Sequence, residues 1–183
     1  MTSRQQAGAV LVAAGLINAY LPAAFDALGQ QGALEPGPVG RSVIETVGRH
    51  LPDQPVGDVL SVITYLAEHS VAVLAVALGT KDTGVLIRWL DTRVGSLAKT
   101  GGRPLDVRAA EIVRDYAPAL QREAPDTTAA AKAIAASDGT DLAIHLGEFA
   151  ARMYALAFGP AGLARAQAAL GAFTAPLLSE RPS

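Results

Sequence analysis

Asp141, His145, Glu148 and Arg152 are spaced by four, three and four residues, so on a helix they line one side, next to an apolar stripe. An imidazole and a carboxylate one turn apart can divide general acid and base duties between them, or supply two ligands to a metal in a helical bundle. His145 and Glu148 are therefore the candidate catalytic pair. The plainer reading, which the sequence favours, is an exposed ladder of ion pairs contributing about 0.2–0.5 kcal/mol each. Bundle metal sites need further carboxylates and an ordered Glu-x-x-His, which is absent, so no metal and no cofactor are expected.

The remaining chemistry-bearing residues are scattered. Glu68 and His69 are adjacent, hence about 100° apart on a helix, and only one of them can face a given ligand. His69 has the chemistry of a haem ligand or a titrating switch, but nothing else in the chain signals haem, and a core histidine with its hydrogen bonds made is the expectation. His50, before Leu51-Pro52, suits the last carbonyls and the dipole of a helix end. Arg88, Arg93, Arg103 and Arg108 would clamp an anion if the fold converged them, although Asp82, Asp91, Asp106 and Glu111 stand ready to neutralise them. Gly-x-Gly-x-x-Gly, the P-loop, Gly-x-Ser-x-Gly and His-Glu-x-x-His are all missing. Lys99-Thr100-Gly101 has the letters of a penicillin-binding-enzyme motif but reads as a helix cap and loop.

Those residues need elements to hold them. Half of the 183 residues are apolar, 17% are charged and mean hydropathy is positive, more apolar side chain than a small globule normally hides. The surplus can fill an alanine-rich interior, an interface or a pocket for an apolar ligand. A net charge of −2 with interspersed signs gives no footprint for nucleic acid or anionic lipid. The absence of cysteine removes disulfides, thiolate nucleophiles and thiolate metal sites.

Gln5 to Phe25 holds 21 residues without a formal charge, long enough to span a bilayer. Its seven alanines, Asn18 and Pro22 make it weakly apolar, and a buried first helix is favoured, capped by Thr2 or Ser3 and bent or ended at Pro22. The alternatives are a signal peptide cleaved at Ala27-Leu28-Gly29, which would make the protein secreted, and a membrane anchor. A cytoplasmic protein without membrane contact is the main expectation.

Three- and four-residue apolar spacing runs from end to end and predicts an all-α fold, one compact domain over residues 1–183 with seven or eight helices. Asp53 is a candidate N-cap for a helix with Val59, Val62, Ile63 and Leu66 inward. The β-branched run 70–76 and the stretch 9–12 are alternative strands in an α/β arrangement. Lys81 to Asp126 carries 15 of the 32 formal charges, with Gly101-Gly102 as a candidate hinge. Thr127 to Ala136 reads as a short alanine helix ended by Ser137-Asp138-Gly139. On the helix from Asp141 to Phe158, Leu142, Leu146, Phe149, Met153 and Leu156 should face inward. In the last helix Ala164, Ala168 and Ala172 form a small-residue stripe, expected to pack within the chain, with a dimer seam as the alternative and Leu177 nearby.

The leading functional expectation is a non-enzymatic helical module acting through an apolar surface, by self-association or by binding a protein partner. The alternative is a pocket protein or small-molecule enzyme, with Tyr65, His69, Trp89 and Tyr154 as candidate ligand contacts beside His145 and Glu148. Whether the chain is an enzyme is left open.

Overall fold

The computed structural model describes residues 3–30, 32–121, 124–136 and 138–179, with side chains for those from 6 to 175. The apolar spacing becomes eight α-helices: α1 (Ser3–Asp26), α2 (Pro38–His50), α3 (Val56–Leu78), α4 (Thr83–Lys99), α5 (Pro104–Tyr116), α6 (Thr128–Ala135), α7 (Gly139–Phe158) and α8 (Leu163–Ser179). A 3-10 turn, Ala117–Gln121, follows α5 where Pro118 denies it a further α-turn. No strand occurs among the described residues.

Helices α1, α3 and α7 form the heart of the domain. α7 touches α1, α2, α3, α5, α6 and α8, and α5 joins it to α4. Twelve of its 20 residues are buried. α7 comes so close to α1 that a Cβ on Gly147 would lie 2.8 Å from the Cβ of Leu16, so glycine is required there. Val59, Val62, Ile63 and Leu66 of α3 are all buried, as their spacing predicts. α7 is thus held from all sides, and any polar group it carries is held with it.

Several expectations are corrected. Both candidate strands are helical: 9–12 lies within α1 and 70–76 within α3. Around the second run Ser70, Val71, Val73, Leu74 and Ala75 are buried while Val76 is exposed, and burial against neighbouring helices overrides β-propensity. Pro22 does not end α1, because it sits on the solvent side, where water can meet the carbonyl of Asn18 that loses its partner. Pro55, not Asp53, precedes the first turn of α3. Leu156 is 43% exposed, and Ala164, Ala168 and Ala172 face solvent while Ala166, Leu170 and Thr174 pack inward. Gly101, at φ +71°, and Gly102, whose N–H reaches the carbonyl of Leu97 at 2.8 Å, form a Schellman-type stop to α4 that delivers the chain to Arg103 and Pro104. Thr2, Ser137, Glu180–Ser183 and the side chains of Ser3 and Leu177 lie outside the described residues.

Two helices, Gln6–Asp26 and Val56–Leu78, are long and apolar enough to cross a membrane; 56% and 61% of their most apolar windows are buried in this fold.

Candidate functional site

Where the end of α4, the start of α5 and the middle of α7 meet the connector after α1, a cleft of about 290 Å³ opens. Its walls bring Arg93, Arg103, Asp106, His145, Glu148 and Arg152 together beside Gly32, Ala33 and Phe149. Three of the four residues in the α7 ladder take part; Asp141 is exposed and stands apart. The expected exposed ladder is therefore corrected: Glu148 is 4% exposed, because α7 is packed on nearly every side.

Glu148 is saturated. Its Oε1 accepts from the backbone N–H of Leu34 at 3.1 Å and from Arg152 at 3.0 Å, and its Oε2 accepts from Arg103 at 2.6 Å. Arg152 also donates to the carbonyls of Gln30 and Gly32, so Glu148 and Arg152 together fasten the connector across the cleft. Gly32 presents its carbonyl from φ +114°, a conformation that side chains other than glycine rarely adopt. Arg103 forks onto Asp106, with Nε–Oδ2 and Nη2–Oδ1 both 2.8 Å.

Asp106 Oδ1 lies 2.7 Å from His145 Nδ1. Burial would raise the Asp106 carboxyl, but hydrogen bonds from His145 and Arg103 and the charge of Arg103 bring it down to about 2. A carboxylate only accepts, so the proton of that bond sits on Nδ1, and a neutral His145 then carries its lone pair on Nε2. Nε2 has no protein partner among the described residues, and the ring lines the cleft. Tyr20, buried nearby on α1, has its hydroxyl pushed up to about 12 by burial and then by the charge of Glu148.

Arg93 differs from the other two arginines. It makes no hydrogen bond or ion pair among the described residues. Burial and then the neighbouring positive charge of Arg152 hold its guanidinium below the usual value, with Asp106 offsetting part of that.

Asp106, His145 and Glu148 offer ligand atoms within 4.8 Å of one another, a spacing a metal ion can use. Both carboxylates are already neutralised, however, and a dication would have to displace Arg103 from both and Arg152 from one.

The other candidates go elsewhere. His69, 2% exposed, joins its Nε2 to the hydroxyl of Tyr154 at 2.7 Å, stacks on Tyr65 and meets the edge of Phe173. Its Nδ1 and the Tyr65 hydroxyl are buried without partners among the described residues. Burial lowers His69 to about 4 and pushes the Tyr65 hydroxyl up to about 12. Trp89 lines a smaller hollow next to the cleft, Arg108 pairs with Asp138 at 3.2 Å, and Arg88 and His50 are exposed and away from the cleft. The motif-like Lys99-Thr100-Gly101 is the last residue of α4, its C-cap and the glycine that follows, with Lys99 exposed.

Spacing on α7 pointed to His145, Glu148 and Arg152, and the arginine series contained Arg93 and Arg103. Tyr20 and the connector carbonyls had no signal in the sequence, because only tertiary packing brings them near. No known protein family, characterised protein or solved structure shows significant similarity to this chain.

Proposed function

We propose that the protein binds a small anionic molecule in the cleft, with Arg93 receiving the charge and the Asp106–His145 pair holding a proton acceptor beside it. One observation carries this reading: Arg93 is half-buried beside Arg152 with no ion pair among the described residues and only the more distant charge of Asp106 to offset it, an arrangement that costs energy until an anion enters. Asp106 orients His145 so that a neutral imidazole presents Nε2, which suits acid–base chemistry on the bound molecule. Fixed groups on packed helices give the site the preorganisation that binding rewards.

The apolar-surface reading has less behind it. Apart from Leu28 and Leu156, which line one small hollow, the exposed large apolar side chains Leu11, Val39, Val56, Val76 and Phe173 are spread over four helices, and scattered exposure of this kind is ordinary.

The test is Arg93→Gln. Without ligand the variant should unfold at the same temperature as the parent or higher, since an unpaired like charge has been removed. Calorimetric titration with carboxylates and phosphates should then show binding to the parent that weakens at least tenfold in the variant. A clear loss of stability in the unliganded variant, or binding indifferent to the change, overturns the proposal.

A further inference from the structure

The cleft has a neighbour. A hollow of about 210 Å³ lies along the same face of α7, and Arg93, Phe149 and Arg152 line both spaces. Beyond that shared wall the chemistry changes: Trp89 of α4, Leu28 in the turn after α1, and Met153 and Leu156 of α7 replace the charged groups. Leu28 and Leu156 are 36% and 43% exposed there, two large apolar side chains left open beside two guanidinium groups. An isolated anion would satisfy Arg93 and leave this apolar surface wet. A molecule with an apolar body on the acid group would cover both, and combined burial of apolar surface with one fixed charge is how small-molecule sites achieve orientation.

From this continuity we infer that the ligand is an amphipathic organic acid, its carboxylate or equivalent anion at Arg93 and its apolar body against Trp89, Met153 and Leu156. The inference rests on the anion-binding reading and narrows it to a substrate class. His145 lies on the cleft side of the shared wall, so its Nε2 faces the acid end of such a molecule and not the apolar tail. Trp89 is the chain's single tryptophan, which makes its fluorescence a report on the hollow alone.

The experiment titrates the full chain with decanoate, decanol and acetate, following Trp89 emission and heat together. Decanoate should shift the emission and bind at least tenfold more tightly than either acetate or decanol. Arg93→Gln should weaken decanoate tenfold or more, and Leu156→Gln, at a position already exposed and so tolerant of the change, should weaken decanoate several-fold while leaving acetate unaltered. If acetate binds through Arg93 and decanoate gains nothing over it, the amphipathic inference falls and the anion-binding reading stands. If neither acid binds, the amphipathic inference falls, and the anion-binding reading falls with it when inorganic phosphate does not bind either. If decanoate and decanol bind alike and ignore Arg93→Gln, the apolar body is held without the charge and the inference is overturned.

Discussion

The two histidines that reach the interior of this protein meet α7 about two and a half turns apart, His145 on the helix itself and His69 through Tyr154, yet their surroundings are opposite. His145, in the cleft, has an ionised carboxylate on Nδ1 and no partner on Nε2 among the described residues. His69, in the aromatic cluster of α3, α7 and α8, has a neutral phenol on Nε2 and nothing on Nδ1 among the described residues. The first is supported by charge and open to a ligand. The second is sealed by Tyr65, Tyr154 and Phe173 and held neutral by burial. The same side chain is thus a candidate reagent in one place and a packing element in the other, and the difference comes from what the neighbouring helices bring.

The largest effect should come from breaking the carboxylate that organises the cleft. Glu148→Ala leaves the buried N–H of Leu34 without its acceptor and takes one carboxylate away from both Arg103 and Arg152, and is expected to cost on the order of 3 kcal/mol, read as a lowered midpoint in denaturant melts. Glu148→Gln keeps an acceptor for Leu34 and should cost less. Equal losses in the two variants would mean that the charge of Glu148 accounts for its whole contribution, and no loss in Glu148→Gln would mean that the charge is irrelevant to the fold.

A pH series tests the sealed side. An unfolded chain protonates His69 near 6.5, whereas the folded one resists until about 4, so the unfolded state binds more protons between those values. Stability from this group is complete above pH 6.5 and is lost as pH falls toward 4, by on the order of 3 kcal/mol. In His69→Gln that slope should flatten between pH 6.5 and 4. A parent and variant with parallel slopes would show that His69 titrates freely. Asp106 works in a lower window: its carboxyl is depressed to about 2, so its contribution is present above about pH 4 and disappears as pH falls to 2. Asp106→Asn should remove that loss.

The legibility of the two regions in the sequence also differs. The fold was readable because helix spacing is local: the stripe Val59, Val62, Ile63 and Leu66 faces inward as its periodicity predicts. The α7 ladder was equally local, and its membership survives except for Asp141. What spacing could not convey was burial, since an identical ladder on a peripheral helix would be exposed; α7 differs because six other helices pack on it. The β-branched run of α3 misled toward a strand for the same reason, its environment being set by distant segments. Pairings such as Arg103–Glu148 and Leu34–Glu148 join residues 45 and 114 positions apart, beyond any periodic signal.

The smallest predicted effect has the opposite sign. The hydroxyl of Tyr65 is buried without a hydrogen-bond partner among the described residues, so the folded state leaves unmet a group that water satisfies in the unfolded chain. Tyr65→Phe keeps the ring that stacks on His69 at 5.6 Å and meets Phe173 at 6.0 Å, and removes only that oxygen. It is expected to leave stability unchanged or raise it by up to about 1 kcal/mol, seen as an equal or higher melting temperature. A loss instead would mean that the hydroxyl is engaged, and the aromatic cluster would then resemble the cleft in depending on its polar groups. Deleting a polar atom should therefore be harmless in the cluster and costly at Glu148, and that contrast in sign separates a region built for packing from one built to hold charge.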